Sequence, residues 1–109
     1  MIRSKGLAAL AVALGALAVP AVADAKANVT ITGDTISNYA FSPKKVSIGK
    51  GAKVHWSWDS NAPHNVTFSK LGEHSATGAS GSYKLKFKEA GTFKYHCTIH
   101  GISGKVVVG

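Results

Sequence analysis

The sequence predicts an all-β domain, an antiparallel β-sandwich of seven to eight short strands. After residue 25, apolar and polar residues alternate with a period of two, which is the pattern of strands with one buried face. Turn-forming stretches that contain Gly, Pro, Ser and Asn separate the alternating segments. This part of the sequence shows no sustained helical period, so we expect two packed sheets and no helix.

Seven alternating segments follow one another along the chain, and each is a predicted strand. Their inward-facing residues are, in order, Val29 and Ile31; Val46 and Ile48; Val54, Trp56 and Trp58; Val66 and Phe68; Tyr83, Leu85 and Phe87; Phe93, Tyr95 and Cys97; Val106 and Val108. We expect the aromatic members of this set to fill the core. Lys84, Lys86 and Lys88 alternate with apolar neighbours and should form a solvated face. The stretch from Ser69 to Ser82, rich in Gly, Ser and Thr, is predicted to be a loop between the sheets.

The first 25 residues have the three parts of a secretory signal peptide. Arg3 and Lys5 precede an apolar run over residues 6–22, and the run ends at Ala23-Asp24-Ala25. Cleavage is predicted after Ala25, with cleavage after Ala23 as the alternative. An uncleaved membrane anchor is the competing interpretation, but the run is at the short limit for a bilayer and contains a proline. We therefore predict a signal peptide over 1–25, one exported domain over 26–109, in the periplasm or outside the cell, and no stable membrane anchor.

The exported domain is strongly basic. It contains eleven Lys, no Arg and four acidic residues, which leaves a net charge of +7. A charge of this size favours encounters with acidic partners or surfaces. The absence of Arg, together with export, argues against nucleic acid as the partner. We expect a monomer whose protein partners carry acidic docking surfaces.

A possible metal site lies near the C-terminus. Cys97 and His100 stand three residues apart in a turn between two predicted strands, but this spacing alone is a weak signal. His64 follows Pro63 at the end of another strand and could supply a third ligand. Two imidazoles and one thiolate form the trigonal donor set of blue-copper sites. Cys97 is the only cysteine, so no disulfide can form within the chain.

Other chemistries of this Cys and His set fit the sequence less well. Structural zinc usually has four protein ligands, and a c-type haem requires a second Cys that is absent here. No sequence feature marks an oxyanion hole for a Cys–His nucleophile. The remaining histidines have simpler interpretations, since alternation places His55 and His96 on the solvent side of strands. His74 lies in the predicted loop, and a second copper site there is the less favoured alternative.

The chain resembles the cupredoxin family of blue-copper proteins, in particular its plastocyanin- and amicyanin-like members. The resemblance covers residues 26–109, and the matching motifs keep their order and spacing. They are Phe41-Ser42-Pro43 with Val46 and Ile48, Gly51 to Trp56, Pro63-His64-Asn65-Val66, Gly91 to Cys97, and Gly104 to Val108. The resemblance implies a Greek-key sandwich with one copper at one end, cycling between Cu(I) and Cu(II). It implies His64, Cys97 and His100 as equatorial ligands and electron transfer through the exposed edge of the second His.

The resemblance also implies roles for the residues around the ligands. Asn65 would offer its backbone N–H to the Cys97 sulfur, and its side chain would tie the His64 loop to the Thr98 loop. Family members carry a weak axial Met shortly after the second His, whereas Ile102 occupies this position here. We expect either a three-coordinate copper site, assisted by the Pro63 carbonyl, or a site that has lost copper and kept the fold.

The sequence thus predicts a small exported protein that carries one electron between redox partners and catalyses no reaction itself. Two alternatives belong to other classes. One is a copper-binding module for copper storage, delivery or sensing, and the other is a copper-free interaction domain. Redox cycling at a fixed site would separate the first function from the second, and the copper content of the purified protein would identify the third.

Overall fold

The computed structural model describes residues 24–109, which form eight strands and no helix. The strands are β1 (Asp24–Thr32), β2 (Ala40–Ser42), β3 (Lys45–His64), β4 (Thr67–Phe68), β5 (Glu73–His74), β6 (Gly78–Phe87), β7 (Gly91–His96) and β8 (Ser103–Val108). The predicted all-β class is therefore confirmed. Over these residues, no helix is long and apolar enough to cross a membrane. The predicted signal peptide lies almost wholly outside the described residues and stays a prediction.

The long strand β3 joins the two sheets of the sandwich. Its first part, Lys45–Ile48, pairs with β8, whereas its second part, Ala52–Asp59, pairs with β6 and also contacts β1. Gly51, between the two parts, has a φ of 88°, a left-handed conformation that glycine adopts without steric cost. A strand that bends in this way can switch from one sheet to the other. One sheet has the order β2-β1-β3-β6 and the other the order β3-β8-β7-β4-β5.

The sheets are mixed rather than purely antiparallel. β3 runs parallel to both β1 and β8, and the remaining pairs are antiparallel. The alternation of side chains is the same in parallel and antiparallel strands, so the sequence pattern gives no strand direction. The parallel pairs join strands that are distant in sequence, which requires crossover connections.

The prediction of a loop from Ser69 to Ser82 was wrong in part, because this stretch contains β5 and the beginning of β6. This end of β6 pairs with β3 next to Trp58, whose indole N–H donates a hydrogen bond to the Gly78 carbonyl at 2.9 Å. A Cβ atom on Gly81 would lie 2.6 Å from the Trp58 ring. The strand therefore needs a small residue where it passes the indole. The beginning of β6 contains no large apolar residue, so its sequence shows no apolar alternation.

The core lies between the two sheets and is rich in aromatic rings. Trp56, Phe68 and Tyr95 are each about 1% exposed, and Trp56 packs edge-on against the other two rings. Replacing such a residue with Ala typically costs about 3–5 kcal/mol. Trp58 is also buried, as predicted, whereas Tyr83 and Phe93 are only partly buried against the edge of the core. Burial raises the pKa of Tyr95 to about 12, an effect that the nearby Trp56 side chain offsets only in part.

Candidate metal centre

Three elements bring His64, Cys97 and His100 together at one end of the sandwich. His64 is the last residue of β3, Cys97 follows β7 directly, and His100 lies in the turn between β7 and β8. One potential ligand atom from each of the three residues lies within 4.8 Å of the others. Among residues 24–109 this is the only group of three or more His, Cys, Asp or Glu side chains with such spacing.

The three side chains direct their donor atoms at one point. His64 and His100 both present Nδ1 to the Cys97 sulfur at 3.9 Å, and the two Nδ1 atoms are 3.1 Å apart. Metal–nitrogen and metal–sulfur bonds of about 2.0–2.3 Å at wide angles separate ligand atoms by about 3–4 Å. The donor set therefore fits one ion bound by two imidazoles and one thiolate.

The site has a buried half and an exposed half. His64 and Cys97 are both 0% exposed, whereas His100 is half-buried. Burial is the main cause that lowers the pKa of His64, and the neighbouring His100 lowers it further. Both effects favour the neutral imidazole, which is the form that binds a metal ion.

The Asn65 side chain links the loops that carry the ligands. Its Nδ2 donates to Thr77 Oγ1 at 3.0 Å and to Thr98 Oγ1 at 2.7 Å. Its Oδ1 accepts from Thr98 N at 3.1 Å and from Thr67 Oγ1 at 2.9 Å. Asn65 is 4% exposed, so these bonds are shielded from water. The side-chain link between the His64 loop and the Thr98 loop is thus present, while the bond from the Asn65 backbone to the sulfur stays a prediction.

The turn between Cys97 and Ile102 is closed by its own backbone. Cys97 N donates to Ile102 O at 2.9 Å, and Gly101 N donates to Cys97 O at 3.0 Å. Gly101 has a φ of 70°, which suits glycine. The closed turn holds the Cys97 thiol and the His100 side chain in a fixed position relative to each other. The half-buried Ile102 side chain packs against the core. The axial position of Ile102 and a contribution from the exposed Pro63 stay predictions.

Two residues that support the histidines were missed by the sequence reasoning. The Ser60 hydroxyl lies 2.9 Å from His64 Nε2, so it can fix the ring with Nδ1 directed at the thiol. The Tyr39 ring packs against both imidazoles, with centroids 4.7 Å from His64 and 4.8 Å from His100. Tyr39 lies two residues before the inward-facing Phe41, so strand alternation could have indicated its side. The sequence carries no comparable signal for Ser60.

The other histidines of the described part lie outside this cluster. His55 and His96 are half-buried on the outer sides of their strands, so they are more enclosed than predicted. Burial, followed by the charges of Lys26, Lys84 and Lys53, lowers the pKa of His55. His74 is exposed, and its Nδ1 lies 3.0 Å from the Ser75 carbonyl.

Comparison with known proteins identifies the family. The family model described as a cupredoxin-like domain matches residues 6–108. The chain belongs to the cupredoxin-like family. It is 35% identical to an amicyanin from Paracoccus versutus over 95 residues, which covers 81% of this chain and 70% of that protein. It is 30% identical to a plastocyanin from Capsella bursa-pastoris over 95 residues, covering 72% of this chain and 96% of that protein.

Solved structures of cupredoxins share the fold. A purple cupredoxin from Nitrosopumilus maritimus superposes with a TM-score of 0.65 at 26% identity, covering 76% of this chain and 99% of that one. An oxidised amicyanin variant has a TM-score of 0.64 at 36% identity, with coverages of 81% and 86%. Cupredoxins bind one copper ion, and the cluster of two imidazoles and one thiol provides a site that could hold it. The prediction of the family and of its copper cofactor is therefore confirmed.

Proposed function

We propose that this protein is a one-electron carrier whose copper ion is bound by His64, Cys97 and His100. The observation that carries the proposal is the convergence of two Nδ1 atoms and one sulfur within 3.9 Å at one end of the sandwich. The thiol is the only cysteine of the chain and is fully buried, so it can serve one ion without competing disulfide chemistry. Bound copper supplies a one-electron couple.

The residues around the ligands favour fast electron exchange because they limit movement. Four hydrogen bonds hold the Asn65 side chain between the loops, and Ser60 and Tyr39 restrict the His64 ring. Ligands that cannot rearrange keep the same geometry in both oxidation states, which lowers the energy of reorganisation. His100 is the ligand that reaches the surface, so electrons would pass through its exposed edge.

Ile102, two residues after His100, stands where family members carry the axial Met, and its side chain has no lone pair to donate. We propose a three-coordinate site in which this side chain covers the metal and excludes water. A hydrophobic neighbour favours the less charged Cu(I) ion, so the reduction potential should exceed that of a site with an axial Met.

The working form of the protein, in this proposal, is a monomer of residues 26–109 that acts after export to the periplasm or beyond. Amicyanin and plastocyanin are electron carriers rather than enzymes, and the same role is proposed here. The net charge of +7 would steer the protein towards acidic redox partners.

Voltammetry of the copper-loaded protein tests this function. We expect a reversible one-electron wave that persists over many cycles with one copper bound per chain throughout. Loss of copper upon reduction would contradict electron carriage and favour copper storage or delivery. The matched control is Cys97→Ser, which removes the thiolate but keeps the size of the side chain and should show no such wave.

A further inference from the structure

We infer that a cleft lined by lysines on the outer face of the β3–β8–β7 sheet is the docking site for an acidic segment of the redox partner. The lysine cleft consists of Lys44, Lys45, Lys94 and Lys105, with Ser103 and Gly104 between them. This inference deepens the proposed function, on which it rests, because it assigns a place and a chemistry to the partner.

Three of these lysines form a row across neighbouring strands. Lys45 of β3 pairs with Lys105 of β8, and Lys105 pairs with Lys94 of β7. Directly opposite side chains on one sheet face have Cβ atoms about 4.5–5.5 Å apart, and like charges at this distance destabilise the sheet. We call these three residues the proximal lysine row. An anionic partner would relieve the repulsion among these three charges.

The row borders an open cleft rather than a flat surface. The cleft has a volume of about 410 Å³, and the backbone of Gly104 forms part of its lining. Lys105 N donates to Lys44 O at 2.9 Å, so the fourth lysine is held at the edge of the cleft. Four ammonium groups spread over this space match several carboxylates of one protein segment better than a single small anion.

The lysine cleft lies beside the ligand loops. Lys94 precedes Cys97 by three residues, which is about 10 Å along an extended chain. Ser103, which also lines the cleft, pairs with His96 next to the same cysteine. A segment bound here would therefore hold its protein near the metal end of the sandwich.

The other sheet contains a matched row that serves as a control. Lys26, Lys53 and Lys86 oppose one another across β1, β3 and β6. Lys53 and Asp59 are separated by six residues of regularly paired strand, which is about 20 Å. The ligand His64 lies farther along the same strand, beyond Asp59. We call these three residues the distal lysine row. It has the same charge and the same register as the proximal row but lies far from the ligands.

Replacing either row with Gln removes three charges, so the two variants have the same net charge. Steering by the whole molecule would weaken partner binding about equally in both. Docking at the lysine cleft would affect the proximal variant far more, because exposed charges more than about 10 Å apart are largely screened at 0.1 M salt. The comparison thus separates a local site from a general basic character.

The first experiment is an NMR titration of the protein with a hexaglutamate peptide at 0.1 M salt, where charges on one row are largely screened from the other. We expect shifts centred on the amides of Lys94, Ser103 and Gly104, a loss of affinity of about tenfold or more in the proximal variant, and less than threefold in the distal variant. Equal losses in the two variants, or no binding to the wild type, would overturn the inference. Tighter binding of oligo(dT) or of anionic phospholipid vesicles through the same lysines would also overturn it. The peptide is not a redox reagent, so this result does not depend on copper.

The second experiment measures electron transfer from a reduced plant-type [2Fe–2S] ferredoxin, an acidic protein, by stopped flow. We expect the second-order rate constant to fall about tenfold in the proximal variant and less than threefold in the distal variant. Peptide binding without electron transfer in the wild type would leave the lysine cleft in place and count against the proposed function. Electron transfer that slows equally in both variants would refute the docking site while leaving the proposed function intact.

Discussion

The buried and exposed halves of the candidate site are built by different means. His64 and Cys97 are fully enclosed, and their loops are held by Asn65, Ser60 and Tyr39. His100 and Ile102 lie in a short turn and are half-buried. The buried half is fixed by packing and hydrogen bonds, so it sets the ligand geometry. The exposed half has fewer constraints and is where a partner, or a substitution, can act on the metal.

The sharpest contrast between the halves should come from removing one imidazole at a time. Both His64→Gly and His100→Gly should lose the colour of the Cu(II) protein, because each removes one of three strong ligands. Imidazole added to the solution should restore the colour of His100→Gly, whose vacated position opens to solvent. It should restore His64→Gly poorly, because that position is closed from solvent.

Titration of both variants with imidazole, followed by visible absorbance, measures this difference. Wild-type protein in the same buffer series is the control for displacement of copper by imidazole itself. Equal recovery of the two variants would contradict the division into a buried and an exposed half.

Loss of the Asn65 side chain should have the next largest effect. Asn65→Ala removes four hydrogen bonds and leaves the Thr98 N–H without its partner. At a net worth of about 0.5–1 kcal/mol for each bond, the four bonds predict a loss of roughly 2–4 kcal/mol. Urea unfolding of the metal-free protein measures it.

The matched control is Asn28→Ala, which changes an exposed asparagine on β1 and should alter stability by less than about 0.5 kcal/mol. An effect of Asn65→Ala as small as that of the control would show that the linked loops are held by something else.

A smaller effect is expected from the exposed half. Ile102→Met offers a thioether to the metal, and an extra donor stabilises Cu(II) more than Cu(I), so the reduction potential should fall. A shift of about 60 mV in a one-electron couple corresponds to roughly 1.4 kcal/mol, so even a weak bond is measurable. Voltammetry of both proteins, with Ile102→Leu as the apolar control, tests this. An unchanged or higher potential with the sulfur near copper in a crystal structure would show that Ile102 is not the axial residue.

The smallest predicted effect is a dependence of stability on pH in the metal-free protein. The pKa of His64 is lowered in the fold, so below about pH 6.5 the unfolded chain binds a proton that the folded chain resists. The free energy of unfolding should therefore decrease as the pH falls, by at most about 1.4 kcal/mol per pH unit for this group. His55, whose pKa is also lowered, contributes with the same sign.

Urea unfolding between pH 8 and pH 5.5 measures this slope, and His64→Gln and His55→Gln assign it. The His64 variant should be the less sensitive to pH of the two if burial of the ligand is the main cause. A stability that increases as the pH falls would contradict the buried, neutral state of His64.

The sequence predicted the parts of this molecule that leave a local pattern. Alternation identified Trp56, Trp58 and Tyr95 as core residues, and each is buried. The spacing of Cys97 and His100 required a third ligand from elsewhere in the chain. The sequence offered His64 after its proline turn, and the fold places His64 beside the other two residues, whose assignment as the ligands stays a prediction.

Features that depend on contacts distant in sequence were not predicted. Tyr39 contacts the histidines only because the loop between β1 and β2 meets the end of β3 and the turn after β7 at one end of the sandwich. Ser60 lies only four residues before His64 in β3, but no pattern in the sequence indicates their contact. The first residues of β6 form a strand because Gly81 fits against Trp58, although they show no apolar alternation. The opposition of lysines on neighbouring strands depends on register, which the alternation of single strands does not reveal.

The most direct test of the central claim is a titration of the purified protein with Cu(II), followed by visible absorption. If the Cys97 thiolate binds copper together with His64 and His100, an intense charge-transfer band should grow and saturate at one copper per chain. Cys97→Ser should fold, as judged by its far-ultraviolet circular dichroism, and remain colourless under the same conditions. A wild type that binds one copper without the band, or a serine variant that retains it, would contradict the account.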